Sequence, residues 1–448
     1  MTPHSFDLTV GRRSWGRVER GPQYVASPAF LEEAALLLQR ATDAGLSVLA
    51  GGLGRSYGDS ALNLGHAVID TTRLDRVIAF DCDRGVLRAE AGLSLSETVR
   101  RVLPHGWFLP TTPGTRFVTL GGAVANDVHG KNHHQAGAFG CSVRRLGLIR
   151  SDRGLIELSP AEEPELFAAT IGGLGLTGLI AWVEIQLAPV RSAYLDQETV
   201  AFPDLDGFFA LSRESETAFE HTVAWVDCTR AGQRLGRGVF NRALWRNDGR
   251  LDTHDDERML TLPVDLPNFA LNPITLKLFN EQLYLRAPKG RPARSAQHYV
   301  PVFYPLDVVG RWNRLYGSRG FFQYQCQIPP DCSRDAVREL LQTIAKSGEG
   351  SFLAVLKTFG EKRSPGLLSF PSPGVTLALD FANKGDETYA LLSRLDDITA
   401  AAGGRLYPAK DGRIPPAMFR AGYSNWERFS WSVDPAFSSS FWRRVNNG

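Results

Sequence analysis

The apolar positions near the start of the chain first follow a helical period and then a strand period. Ser27-Pro28 followed by "AFLEEAALLLQRATDAG" carries an apolar stripe at helical spacing. It predicts a helix capped at Ser27, with Pro28 in its first turn and Gly45 at its end. "LSVLA" (46–50) reads as a short buried strand, and further strands are predicted at 67–72, 76–81 and 85–91. Ser94-Leu95-Ser96-Glu97 has the form of a capping box for the helix "LSETVRRVL". Residues 143–149 and 155–159, joined by "SDRG", predict a hairpin, and "GLIAWVEIQLA" a further strand. Up to about residue 193 the pattern is α+β.

From about 194 the texture changes. Long strand-like pieces ("AYLDQETVAF", "TVAWVDCT", "FFQYQCQIP", "FLAVLKTFG", "GVTLALDF") alternate with helical ones such as "RDAVRELLQTIAKSG" and "DETYALLSRLDDITAAAG". This predicts a sheet carrying helices on one face. Within it, Met259 to Leu285 is apolar but interrupted by Pro263, Pro267 and Pro273, and "RAPKGRPARS" follows with four cations. Two readings stand: a long solvated loop, or a mobile cover that touches lipid or phosphate.

A length of 448 residues suits two domains, and 43% apolar with 22% charged residues is ordinary for a globular protein. A formal net charge of +2 gives no reason to invoke nucleic acid. Five cysteines are odd in number and lack metal-type pairs, so reduced thiols in a cytosolic-type compartment are expected. "MTPHSFDLTVGRRSWGR" has no apolar core of a secretory signal, and "GLIAWVEIQLAPV" is too short to cross a bilayer.

Glycine-rich loops change the picture from fold to chemistry. "GGLGRSYGDSALN" (51–63) lies between two apolar runs, where loops without Cβ atoms let successive N–H groups converge on an anion. A dinucleotide fingerprint fails because Tyr57 stands at the third glycine position, and a strand follows. Gly130-Lys131 fails as a phosphate-binding Walker loop, with Ala125 and Asn132 at its required Gly and Ser/Thr positions. In a second such region, Thr119 is placed to cap a short helix whose first turn contains Gly121 and Gly122, a second expected anion site. "GGLGLTG" (172–178) is a third cluster. Two nests about sixty residues apart suit a ligand with two phosphates and a long body.

Among the polar residues, His129 and His133 are four apart and would share a face if helical, but no Glu or third ligand accompanies them. Structural roles or contact with a cofactor or substrate are the other readings, and no metal is expected. Lys410 in "RLYPAKDGR" leaves a short strand beside a turn. Lys357 interrupts an apolar strand, where an inward lysine calls for an anionic partner. Gln323, Gln325 and Gln327 share one strand face, which either recognises hydroxyls from inside or is solvated outside. With no nucleophile elbow and no Cys–His signature, the inventory fits redox chemistry carried by a bound cofactor.

"GLGRSYGD", "PGTRFVTLGGAVANDVHGKNHH" and "GGLGLTG" resemble the FAD-binding domain of the vanillyl-alcohol oxidase / para-cresol methylhydroxylase (PCMH) flavoproteins. More narrowly, "SWGR", "HGKNHH", "WNRLYG", "FQYQ" and "GGRLYPAKDGR" are similar to the branch of that family that oxidises polyprenylphosphoryl ribose. The resemblance implies an α+β, two-domain flavoprotein. A PCMH-type FAD-binding domain would span 1–193. An antiparallel-sheet-plus-helices substrate domain would span 194–404, with a mobile loop at about 250–298. A return segment, 405–448, would pack on the FAD domain and carry Lys410.

It also implies that Gly51 to Asp59 wraps the FAD pyrophosphate. The contacts carried over are Gly52, Leu53, Gly54, Arg55, Ser56, Tyr57, Gly58, Asp59, Gly114, Thr119, Gly121, Gly122, Asn126, His129, Ile180 and Tyr407. Relatives that bind flavin covalently through this loop carry His where this chain has Arg55, so dissociable FAD is expected. Lys410 matches the family's essential lysine, with His129 near ring and substrate. Tyr57, Trp225, Gln323, Gln325, Lys357 and Ala378 fall at substrate-pocket positions. Ala378 and Thr376 replace a Cys and an Asn of relatives, so inhibitors that trap that thiol lack a target here.

The implied reaction oxidises the ribose 2′-hydroxyl to a ketone, the first half of epimerisation to the arabinose form. Quinone or oxygen would take the electrons, and a separate NAD-dependent keto-reductase the product. The location implied is cytoplasmic, with peripheral membrane contact. The alternatives are an FAD-dependent oxidase of a free sugar, alditol or aldonolactone, and a non-catalytic flavin-binding protein.

Overall fold

The computed structural model describes residues 6–255, 260–267 and 272–446. Three sheets organise the chain. The first has four strands in the order Asp7–Thr9, Gln23–Ala26, Ala67–Asp70, Val48–Gly51. Ala67–Asp70 pairs in parallel with both of its neighbours. Helix Leu31–Asp43 makes the crossover between Gln23–Ala26 and Val48–Gly51 and buries Ala34, Leu37, Leu38 and Ala41. Its N-cap is Phe30, with no side-chain cap, so the helix begins after the predicted Ser27. Glu33 closes the entry instead by accepting from the N–H of Ala29.

The second sheet is antiparallel and five-stranded: Val77–Asp81, Val86–Glu90, Leu179–Gln186, Val143–Arg150, Gly154–Leu158. The predicted hairpin is its edge. Ser94 caps helix Leu95–Val102, its hydroxyl accepting from the Glu97 N–H at 3.0 Å.

The third sheet has eight strands, ordered Ala293–His298, Tyr194–Phe202, Gly238–Trp245, His221–Val226, Ala354–Phe359, Gly374–Ala382, Phe321–Ile328, Arg405–Leu406. The period of two sorts its side chains. Phe240, Ala224, Leu356, Leu377, Leu379 and Cys326 enter the core shared with helices Leu205–Ser215, Ser333–Ser347 and Asp386–Ala401. The alternate positions face the other way, onto a cavity. Register aligns them in rows: Gln325 opposes Ala378, Ala378 opposes Val355, and Val355 opposes Trp225.

The chain's last segment joins these parts. Val48 donates to Ala436 O at 2.7 Å, and Phe437 packs with the first helix. Phe419, Tyr423, Phe441 and Trp442 belong to the core beneath the third sheet. The segment expected as a loop at 250–298 contains helix Pro273–Arg286 and the edge strand Ala293–His298. Pro273 read as an interruption, but it occupies the first helical position, where a missing N–H costs nothing, and Asn272 with Thr275 forms a capping box. Residues 256–259 and 268–271 of that segment lie outside the described residues.

Candidate active site

Strand Val48–Gly51 runs into the first glycine loop at the edge of a cavity of about 1000 Å³. The loop is locked from behind. Trp15 N–H donates to Ser56 O (2.8 Å), Gly16 N–H to Tyr57 O (3.1 Å), and Tyr57 N–H to Ala409 O (2.8 Å). Gly54 has φ +64°, and a Cβ added there or at Gly114 would meet nothing within 4 Å. Among the described residues, the N–H groups of Leu53, Gly54, Arg55 and Ser56 find no protein acceptor. All four residues line the cavity. Four unclaimed donors around a glycine with positive φ form an anion nest.

The second expected nest is closed by the chain itself. Leu120 N–H donates to Leu93 O (2.9 Å), Gly121 N–H to Ala91 O (2.8 Å), and Gly122 N–H to Thr119 Oγ1 (3.1 Å). The segment at 91–93 lies alongside and takes those donors, so Thr119, Gly121 and Gly122 shape the wall without offering these amides. A Cβ at Gly52 would come within 2.5 Å of Thr119 Oγ1, so the two segments are in close contact. Gly58 and Asp59 also depart from expectation and lie outside the lining. Gly58 packs on the backbone of Asp411 and Gly412, and Asp59 pairs with Arg444 at 2.8 Å. Asn126, Ile180 and Tyr407 do line the cavity, and the Tyr407 hydroxyl donates to Asn126 O at 2.8 Å. Arg55 folds back, its guanidinium donating to Leu53 O (2.6 Å) and lying 4.2 Å over the Trp15 ring.

Polar side chains converge on the opposite wall. His129 is buried and lies 3.0 Å from Gln325 Nε2 through its Nε2 and 3.1 Å from Lys357 Nζ through its Nδ1. Burial first, then Lys357, hold its pKa well below the usual histidine range, so the ring is neutral. A neutral ring carries one proton. With Gln325 donating to Nε2, the Nδ1–H donates to Lys357 as a neutral amine. With the Gln325 amide turned over, Nε2–H donates to its oxygen and Lys357 donates as an ammonium. Burial, then Lys131 and Lys410, bring Lys357 down to about 7. Gln325 Nε2 also donates to Thr376 Oγ1 at 3.2 Å, whose own proton goes to Cys326 O, which favours the first pattern. Contrary to expectation, Lys357 has no carboxylate partner among the described residues; its other contact is Gly130 O at 3.4 Å.

Lys410 follows the short strand Arg405–Leu406, with its N–H turned back to Tyr407 O at 2.9 Å. Its amine lies 3.9 Å from the centre of the Tyr57 ring, and burial lowers its pKa to about 8 against the opposing pull of Asp380. Asp380 is fully buried, accepts from Gln323 Nε2 at 2.6 Å and from the Tyr316 hydroxyl at 3.4 Å, and is pushed by burial up to about 7. All three glutamines face inward; Gln327 binds Pro373 O, away from the cavity lining. Trp225 and Ala378 line the cavity, and the Trp225 indole N–H donates to Phe352 O at 3.0 Å.

His129 and His133 do not share a helix: the helix is His133–Ala136, while His129 forms a bridge with Ala138. The zinc geometry of spacing four is therefore not formed. His133 packs on Phe359, and burial brings it down to about 3. Two site residues escaped the sequence reading. Lys131, with a pKa lowered by burial to about 8 and its amine donating to Val302 O, lines the same cavity. Asp380 sits one residue before Phe381 in a strand whose alternation gave no sign of Lys410.

The cavity volume is at the upper end for small-molecule sites, as a dinucleotide together with part of a substrate requires. The open backbone at Gly54 and Gly114 and the free amides of Leu53 to Ser56 fit the diphosphate of FAD. The family described as FAD binding domain matches residues 22–159. Fold and site thus define an FAD-dependent oxidoreductase of the vanillyl-alcohol oxidase / PCMH type. Decaprenylphosphoryl-β-D-ribose oxidase of Mycolicibacterium smegmatis is 36% identical over 99% of both chains. The L-gulonolactone oxidase of Scyliorhinus torazame is 27% identical over 39% of this chain and 40% of its own. The D-lactate dehydrogenase of Anaerostipes hadrus is 22% identical over 39% of this chain and 38% of its own. The chain belongs to the family of the decaprenylphosphoryl-β-D-ribose oxidase.

Proposed function

We propose that this protein oxidises the 2′-hydroxyl of a polyprenylphosphoryl-β-D-ribose to the 2′-ketone, the first half of epimerisation to the arabinose form. The observation that carries this reading is the cationic wall. Lys131, Lys357 and Lys410 share one cavity with the FAD cradle, and among the described residues neither Lys131 nor Lys357 pairs with a carboxylate. A phosphodiester supplies the missing negative charge; a neutral lactone or alditol leaves both ammoniums unpaired in a partly desolvated space. The name of the mycolicibacterial relative supports the choice of sugar.

Bound FAD supplies the acceptor for the hydride that leaves C2′. The chain's own residues do the rest. Lys410 takes the hydroxyl proton: burial leaves a share of its amine unprotonated at neutral pH, beside the Tyr57 ring and drawn by Asp380. His129 and Gln325 hold the sugar hydroxyls, and Lys357 binds the other nitrogen of the His129 ring. Lys131 and Lys357 hold the phosphate. The prenyl chain leaves past Thr261, Leu283 and Val309 at the mouth, where the protein touches a membrane surface. Quinone or oxygen reoxidises the flavin, and a separate NAD-dependent keto-reductase takes the ketone. FAD is dissociable, because the guanidinium of Arg55 on Trp15 is no nucleophile.

Anaerobic flavin bleaching against a panel tests the reading. Prenylphosphoryl ribose is expected to bleach the flavin, with alditols and aldonolactones slower by orders of magnitude. Faster bleaching by a free lactone overturns it, and no bleaching by any member favours a non-catalytic protein.

A further inference from the structure

Helix Pro273–Arg286 is built inside out. Its inner face is anchored by polar groups: Asn280 is fully buried and donates to Asp227 Oδ1 at 3.1 Å. Glu281 binds Arg237 at 2.6 Å and also Arg230, while Tyr284 lies under the Arg237 guanidinium at 4.3 Å. Leu276 is buried with them, and the other apolar residues point out. Ile274, Leu278 and Leu285 are 71%, 61% and 56% exposed, and Phe279 is half exposed. Large apolar side chains left exposed on one helix are matched to a less polar surrounding than water.

Two further observations place that surrounding. Leu283 of this helix is 38% exposed and lines the cavity, as does Thr261, next to Leu260, which is 76% exposed. The helix that carries the exposed apolar residues therefore also borders the cavity, through Leu283. Lys277 on the helix and Arg286, Lys289 and Arg291 at and after its end are exposed cations, while Arg294 pairs with Glu198 at 2.8 Å; the one acid of the helix, Glu281, is spent on Arg237 and Arg230. Fourteen residues span about 21 Å, too short to cross a bilayer but suited to lying along its surface.

We propose that helix Pro273–Arg286 and the cations after it dock the protein on an anionic lipid bilayer, with Ile274, Leu278 and Leu285 in the interface and the cavity mouth facing the acyl chains. The inference rests on the lipid-linked substrate proposed above and adds the surface that meets the lipid. Each cation near an anionic surface strengthens binding on the order of fivefold.

Flotation of the FAD-loaded full chain with phosphatidylglycerol/phosphatidylcholine vesicles tests it, beside pure phosphatidylcholine. The wild type is expected to float with the mixed vesicles and at least tenfold less with the neutral ones. Ile274→Asp/Leu278→Asp and Arg286→Glu/Lys289→Glu are each expected to lose about tenfold or more, with flavin content and melting temperature unchanged. A wild type that floats with neither vesicle, or an Ile274→Asp/Leu278→Asp variant that floats like the wild type, overturns the proposal. So does a wild-type dimer, in sedimentation, that this variant breaks without any vesicle binding, since a second copy then covers the face. Flavin reduction by a water-soluble short-chain prenylphosphoryl ribose, run on the same samples, is expected to be equal in all of them. Its failure in the wild type refutes the substrate reading alone, while the vesicles still decide the surface.

Discussion

Lys410→Met removes the amine while keeping an unbranched side chain over Tyr57. At an ordinary lysine pKa of about 10.5 almost no neutral amine exists at pH 7. At about 8 roughly a tenth of Lys410 is neutral, which is a roughly 300-fold larger share. Loss of a positioned general base costs about 10²–10⁴ in rate, or about 3–5 kcal/mol of barrier. Anaerobic stopped-flow of the reductive half-reaction therefore predicts a wild-type rate that rises about tenfold per pH unit below pH 8 and levels above it. In Lys410→Met the rate is at least a hundredfold lower and flat in pH, with FAD content retained. The sign follows from the chemistry: the base acts deprotonated, so the rate climbs as pH rises through the lowered pKa. A variant within about threefold of wild type, or one that keeps the pH slope, refutes a proton-accepting role for Lys410.

Lys357→Met is expected to raise KM for prenylphosphoryl ribose by about tenfold or more while changing flavin content little. It is also expected to stabilise the ligand-free protein by about 1 kcal/mol, read as a higher Tm, because a desolvated ammonium without a carboxylate disappears. That gain is present below about pH 7, where Lys357 is charged in the folded chain, and fades as pH rises towards the unfolded lysine value. Gly52→Ala places a methyl against Thr119 Oγ1 at the cradle and is expected to purify with little flavin, by the ratio of visible to ultraviolet absorbance. Acid precipitation of the wild type is expected to leave all flavin in the yellow supernatant; colour in the pellet contradicts dissociable binding. Arg444→Ala leaves Asp59 buried without its cation, and a loss of about 3 kcal/mol in denaturant unfolding is expected.

What was legible in the sequence was what local period and local chemistry carry. The alternation in "FQYQCQ" put Gln323, Gln325 and Gln327 on one face without saying which way it turns; the sheet turns it inward, and its register sets Lys357 of another strand on the same face. Thr119 capped the helix it was expected to cap. Whether an amide stays free is a long-range property, so nothing near Gly121 or Gly122 revealed that the carbonyls of Ala91 and Leu93 would take the donors. The meeting of His129 with Lys357 spans 228 positions, and Asp380 reaches Lys410's surroundings from another strand. Pro273 was ambiguous in sequence because the same residue interrupts a helix interior and begins a helix; the Asn272–Thr275 box decides it. Gly58 followed its neighbours in composition but packs on Asp411, a contact made by the far end of the chain.

The account stands on removal of a hydride and a proton at one carbon of the sugar. Anaerobic incubation of stoichiometric FAD-loaded protein with prenylphosphoryl-β-D-ribose, followed by borodeuteride trapping, reads that carbon directly. The account predicts deuterium at C2′ in a mixture of ribo and arabino products. No incorporated deuterium despite bleached flavin, or deuterium at another carbon, contradicts it.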